Sequence, residues 1–181
     1  MSKAIIILEG PDGAGKTTLA KALHDKLPGS VVVHFGPPID GDEVREFQSN
    51  LRLIHLESTH SVVIVDRLFY SAVVYGLALR DLGRDDRVQM GMHFDRFLSQ
   101  HRVLAVDCYP SAEQTRFFNE SAAKGKQLGG INIHEINNLY RLIFQFTTKL
   151  AYEDHYAYDR SKMSVDQAVS EILLPSQWIR R

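Results

Sequence analysis

The residues best equipped for chemistry fall in one short run, Gly10-Pro11-Asp12-Gly13-Ala14-Gly15-Lys16-Thr17, directly after an apolar segment. The pattern G-x-x-x-x-G-K-[ST] between a strand and a helix is that of a phosphate-binding loop. Glycines permit a loop whose amide hydrogens converge on a triphosphate, and the N-terminus of the following helix adds its dipole. Lys16 is then placed to reach the β and γ phosphates, and Thr17 to offer its hydroxyl to Mg²⁺. The candidate cradle for ATP or GTP is Gly10, Asp12, Gly13, Ala14, Gly15, Lys16, Thr17 and Thr18. An ordinary Gly-rich turn is the competing reading, and the agreement of the motif with its flanking elements weighs against it.

A second candidate cluster ends another apolar run, Val62-Val63-Ile64-Val65, with Asp66-Arg67. A carboxylate at the carboxyl edge of a sheet beside a phosphate loop can hold Mg²⁺ directly or through water, which makes Asp66 the metal-side acid along with Thr17. Asp66 also suits a helix N-cap, and the two roles are compatible. The planar guanidinium of Arg67 suits a bidentate grip on a second anionic group, a surface ion pair being the alternative.

These clusters need a scaffold, and the chain supplies an alternation of strand and helix patterns. Ala4 to Leu8 is apolar at every position, as expected of a strand covered on both faces. Val31 to Phe35, Ser61 to Val65 and Val103 to Asp107 read the same way, and His155 to Tyr158 is a weaker fifth candidate. Helical periodicity follows Thr17 through Leu19, Leu23 and Leu27, and recurs over residues 42–58, 68–82, 86–101, 111–123, 133–152 and 164–173. In the segment 133–152, Ile136, Leu139, Tyr140, Ile143 and Phe146 share one face. Ser111 and Ser164 are each followed three positions later by Gln114 and Gln167, the spacing of a capping box. The expected fold is α/β: a three-layer P-loop NTPase fold with a five-stranded parallel sheet flanked by helices, and with function in the loops after the strands.

Composition narrows the classes further. The chain of 181 residues is 44% apolar, enough for one domain spanning 1–181 with a real core. Twenty-one Lys and Arg against 22 Asp and Glu give a net charge of −1 without like-charge blocks, so no stable nucleic-acid binding is expected. No uncharged stretch approaches the length of a membrane span, and the opening apolar run is too short for a signal-peptide core, which points to a cytoplasmic protein. The lone Cys108 follows Val103 to Val106 and reads as a buried structural thiol.

Two spaced motifs carry a resemblance. Glu9-Gly10-Pro11-Asp12-Gly13-Ala14-Gly15-Lys16-Thr17-Thr18 and Asp66-Arg67-Leu68-Phe69-Tyr70-Ser71, with Tyr75 beyond, resemble the two signatures of the thymidylate kinase family. Asp107-Cys108-Tyr109-Pro110-Ser111 with Arg116 is similar to the family's D-x-x-P-E element, and Tyr158-Asp159-Arg160-Ser161 matches the approach to the last helix. The resemblance implies an ATP- and Mg²⁺-dependent kinase acting on a deoxynucleoside monophosphate. It places Asp12 at the acceptor's 3′-hydroxyl, Arg67 on the acceptor phosphate and Tyr75 against the acceptor sugar, where it disfavours a 2′-hydroxyl. Arg116, with Lys124 and Lys126, would belong to a lid over residues 116–132 that closes on the triphosphate, with Arg116 the catalytic cation beside Lys16 and Arg67. Residues 159–163 would hold the adenine through backbone groups, and a homodimer through helices beside the acceptor site is a family trait.

The chain also departs from the family. Where R-E-P-G is usual after the second strand, it has His34-Phe35-Gly36-Pro37-Pro38, and the stacking Phe and its Arg are matched only approximately by Phe47 and Arg52. Ser111 stands where Glu is usual, so the acceptor base stays open between dTMP and a related dNMP. The missing carboxylate bears on the reaction, because a nucleoside kinase must take a proton from a neutral hydroxyl whereas a monophosphate acceptor is already an anion. This favours a monophosphate kinase over a deoxynucleoside kinase, a kinase acting on a modified base in DNA, or a non-catalytic nucleotide-binding switch.

Overall fold

A computed structural model describes residues 4–35, 60–68, 98–123, 136–142 and 154–174, together with 49, 52, 54, 70, 71, 73–75 and 96. Its strands are β1 (Ala4–Glu9), β2 (Ser30–His34), β3 (Val62–Asp66), β4 (Arg102–Tyr109) and β5 (Asp154–Asp159). They form one sheet in the order β2-β3-β1-β4-β5, and every pairing is parallel. The sheet is the expected one, with boundaries shifted by a residue or two: Glu9, Asp66 and Asp159 are the last residues of their strands, so each carries its carboxylate to the functional edge.

Fully apolar strands arise because successive side chains enter different layers. Ile6, Leu8, Ile64 and Val106 pack with Leu19 and Leu23 of α1 (Lys16–Lys26) and with Ile172 of the C-terminal helix. Ile5, Ile7, Val63 and Val65 pack on the opposite face with Ile54, Tyr70, Val74, Leu98, Ile136 and Tyr140. Burying a side chain such as Ile6 is worth about 1.5–3 kcal/mol, so the two layers clamp the sheet that aims the loops.

The capping box is complete at Ser164, and Ser111 makes its side-chain half. At α3 (Val165–Leu173), Ser164 Oγ accepts from Gln167 N at 3.2 Å and Gln167 Oε1 accepts from Ser164 N at 2.9 Å. At α2 (Ala112–Ala123), Ser111 Oγ accepts from Gln114 N at 3.2 Å. Residues 136–142 are helical with Ile136 and Tyr140 buried, as the periodicity predicts, whereas Ile143 and Phe146 lie outside the described residues. Cys108 is buried and free, and burial pushes its thiol pKa far up, in keeping with a structural role.

Candidate functional site

The loop after β1 is built on left-handed glycines. Gly10 has φ 144° and lies so close to β4 that a Cβ there would stand 2.1 Å from the Cys108 carbonyl oxygen. Gly15, at φ 83°, is the N-cap of α1, and a Cβ on it would stand 2.7 Å from Arg160 Cδ. Only glycine meets both demands without strain. Lys16 is buried, 4% exposed, and its Nζ donates to the Pro11 carbonyl at 2.6 Å. Burial, followed by the neighbouring Arg67 charge, lowers its pKa from 10.5 to about 8. Ala14 is buried, whereas Thr17 and Thr18 open α1 in exposed positions.

Beside this loop, Thr17 Oγ1 donates to Asp66 Oδ2 at 2.6 Å, and His34 Nδ1 lies 3.0 Å from the same oxygen. Asp66 is 1% exposed, and its other oxygen, Oδ1, is buried with no hydrogen-bond partner. A hydroxyl that gives its hydrogen to a carboxylate and a carboxylate oxygen with no partner are hard oxygen donors, the set that suits Mg²⁺. The alternative role of Asp66 as helix N-cap is not taken. The carboxylate of Glu9 accepts instead from the backbone N–H groups of Leu68 (2.8 Å), Tyr70 (3.0 Å) and Ser71 (3.3 Å), and from Ser71 Oγ at 2.5 Å. Ser71 Oγ also lies 2.7 Å from Tyr140 Oη. Burial raises the Glu9 pKa against the pull of these donors.

Arg67 leaves β3 in the left-handed region, φ 72°, a conformation that costs a non-glycine residue roughly 1–2 kcal/mol. Its N–H donates to the Leu8 carbonyl at 3.0 Å. The turn brings its guanidinium onto the Asp12 carboxylate, near Ser71 Oγ (3.5 Å) and 5.5 Å from the centre of the Tyr75 ring. Tyr75 meets Tyr140 edge-on at 6.2 Å. Asp12, Arg67 and Tyr75, expected to hold three parts of one acceptor, are therefore assembled into one cluster beside the phosphate loop.

The other expected residues are less drawn together. Arg116 is exposed on α2 and Arg52 is exposed on a helical position. Phe47, Lys124, Lys126 and most of the expected lid lie outside the described residues.

Three groups make contacts that the sequence reading does not foresee. Arg160 Nη1 donates to the Gly13 carbonyl at 2.8 Å, bracing the phosphate loop from beyond β5. His155 Nε2 lies 2.6 Å from Asp107 Oδ2, and burial raises the Asp107 pKa against that contact. Glu9 is the third, and its signal is an acid closing an otherwise apolar strand.

A parallel sheet with its phosphate loop after the central strand, and with an acid-arginine pair ending the neighbouring strand, defines a P-loop fold of the nucleotide-kinase type. No family profile and no curated protein matches the sequence. Among solved structures, the chain resembles a YorR protein from Bacillus subtilis solved with phosphorylated GDP (21% identity, TM-score 0.64, 96% of this chain and 95% of that one). It also resembles a thymidylate kinase from Candida albicans (18% identity, TM-score 0.57, 99% and 94%). A deoxyadenosine kinase from M. mycoides, solved with the products dCMP and dCDP, matches at 14% identity, TM-score 0.59, over 94% and 97%. These likenesses span almost the whole of each chain and show the fold, so the thymidylate-kinase resemblance of the two motifs extends to the architecture. Among the described residues no helix is long and apolar enough to cross a membrane.

Proposed function

We propose that the chain is a phosphotransferase that moves the γ-phosphoryl group of Mg-ATP to a deoxynucleoside monophosphate, dTMP or a related dNMP, giving the diphosphate. The observation that carries this reading is the second anion site: the Arg67 guanidinium is held by Asp12, Ser71 and Tyr75 at the rim of the loop that takes the triphosphate. A switch that binds only a triphosphate has no use for it.

In this reading Lys16 exchanges the Pro11 carbonyl for the β and γ phosphates, whose negative charge offsets the cost of burying its ammonium. Arg67 turns part of its fork from Asp12 to the acceptor phosphate, and the freed Asp12 carboxylate accepts from the sugar hydroxyl. An acceptor oxygen attacks the γ phosphorus, the bond to the β–γ bridging oxygen breaks, and ADP leaves. The acceptor is already an anion, so positioning and charge neutralisation suffice, with Lys16, Arg67 and Arg116 spreading the charge. Thr17 and Asp66 are the residues to hold Mg²⁺, which supplies further neutralisation of the phosphate charge. Tyr75, packed against Arg67, forms the wall that selects a deoxy sugar. The homodimer implied by the resemblance is part of the proposal, and sedimentation velocity checks it.

The test is ADP release from Mg-ATP with a panel of deoxy- and ribonucleoside monophosphates, free nucleosides and duplex DNA. The expected result is turnover confined to deoxynucleoside monophosphates. Turnover with nucleosides alone or with DNA alone overturns the choice of acceptor, and nucleotide binding without any acceptor-dependent release replaces the kinase with a switch.

A further inference from the structure

The end of β2 is where this chain departs from the pattern its motifs resemble, with His34-Phe35-Gly36-Pro37-Pro38 in place of R-E-P-G, and the structure gives that histidine a neighbour. β2 and β3 pair in parallel with His34 directly opposite Asp66, and the ladder runs on through Phe35 N, which donates to the Asp66 carbonyl at 3.2 Å. The two side chains are thereby fixed in register. Asp66 Oδ2 receives the Thr17 hydroxyl at 2.6 Å and His34 Nδ1 at 3.0 Å, while Oδ1 is buried with no partner. An ionised carboxylate only accepts, so Nδ1 must carry the hydrogen. That fixes the tautomer of the neutral ring and leaves Nε2 on a side chain that is 56% exposed.

We propose that His34 is a positioning residue for the metal-side carboxylate, occupying Asp66 Oδ2 together with Thr17 so that Oδ1 alone is presented to a divalent cation. The assignment rests on the kinase reading of the site. Ordinary hydrogen-bonding capacity supports it. Two donors on one carboxylate oxygen lock its rotation, and a threonine hydroxyl that spends its hydrogen on Oδ2 keeps its lone pairs for the cation. Groups that hydrogen-bond a metal's ligands in this way orient them and typically alter metal affinity by about 10–100-fold. Because the hydrogen comes from Nδ1 in both the neutral and the charged ring, the device needs no change of protonation.

The test separates the ring from its hydrogen bond. Affinity for the non-hydrolysable analogue AMPPNP is measured by calorimetry with Mg²⁺ and with EDTA, and the ratio of the two affinities isolates the metal's contribution. His34→Phe keeps a ring and loses the donor; His34→Asn places an N–H as many bonds from Cα as Nδ1. The expected outcome is a ratio at least about 10-fold smaller in His34→Phe, and within about threefold of wild type in His34→Asn. Affinity in EDTA, which a merely damaged site would lose, stays unchanged in both. An undiminished ratio in His34→Phe overturns the proposal, as does a loss in His34→Asn equal to that in His34→Phe. A wild-type protein with no Mg²⁺-dependent gain overturns the underlying kinase reading, and only the variants speak against His34.

Discussion

Lys16 is a charged group that the fold holds at a cost, and Lys16→Met measures that cost. Its pKa of about 8 lies roughly 2.5 units below the ordinary 10.5, mainly because it is buried, and each unit corresponds to ~1.4 kcal/mol. Below pH 8 the ammonium is charged in both folded and unfolded chains, so the full penalty of about 3 kcal/mol is present at pH 7. As pH rises from 8 towards 10.5 the folded chain gives up the proton first, the unfolded chain binds more, and stability increases. Methionine fills a similar volume without the charge. It gives up the bond to the Pro11 carbonyl, worth about 1 kcal/mol, but that oxygen keeps the Ala14 N–H at 3.3 Å. In urea unfolding without nucleotide, Lys16→Met should therefore be more stable than wild type by about 2 kcal/mol at pH 7. The advantage should shrink by roughly 1 kcal/mol at pH 9, while acceptor-dependent turnover is abolished. A variant that is no more stable at pH 7, with an advantage that does not change with pH, refutes the claim that the phosphate loop stores this strain.

Arg67→Ala should lose acceptor-dependent turnover while AMPPNP affinity stays within about twofold, because the proposed function assigns Arg67 and its partners Asp12 and Tyr75 to the acceptor. A selective loss of AMPPNP binding would place Arg67 on the donor. Glu9→Ala removes the acceptor for three N–H groups and one hydroxyl and should cost at least ~3 kcal/mol, a fall in Tm of roughly 10 °C by calorimetry. Glu9→Gln, which keeps an acceptor oxygen, should fall by less, and an unchanged Tm in Glu9→Ala contradicts the capping role. Gly10→Ala drives a methyl into backbone at Cys108 and should abolish soluble folding. Gly29→Ala, where the nearest atom is Ser61 Oγ at 3.8 Å, should cost only about 1–2 kcal/mol of left-handed strain. Equal losses in the two would show that packing against β4 is not what demands Gly10.

What the sequence disclosed follows from the range of the interactions involved. Strands such as Ala4–Glu9 are visible because both faces of a covered sheet need apolar residues. The loop from Gly10 to Thr17 is visible because the pattern G-x-x-x-x-G-K-[ST] lies in consecutive positions. The capping bonds at Ser111 and Ser164 span only three residues. Contacts set by strand order and register leave no such trace. His34 meets Asp66 across 32 positions, Glu9 meets the turn at Leu68 to Ser71 across about 60, and Arg160 meets Gly13 across 147. Asp66 illustrates the limit: its carboxylate at a strand end suited either a cation or a helix cap, and the choice was made by Glu9, whose burial on the adjacent strand takes the cap. The resemblance gives Asp12 and Arg67 separate parts of an acceptor, and their mutual pairing follows only from β1 and β3 lying side by side.

The most direct test of the central claim follows the label from γ-labelled ATP in the presence of Mg²⁺ and a panel of deoxynucleoside monophosphates and free nucleosides, with Lys16→Met as the blank. The account predicts label in a deoxynucleoside diphosphate, formed in step with ADP and absent from the blank. Label that appears only as inorganic phosphate, or in a nucleoside monophosphate made from a free nucleoside, contradicts it.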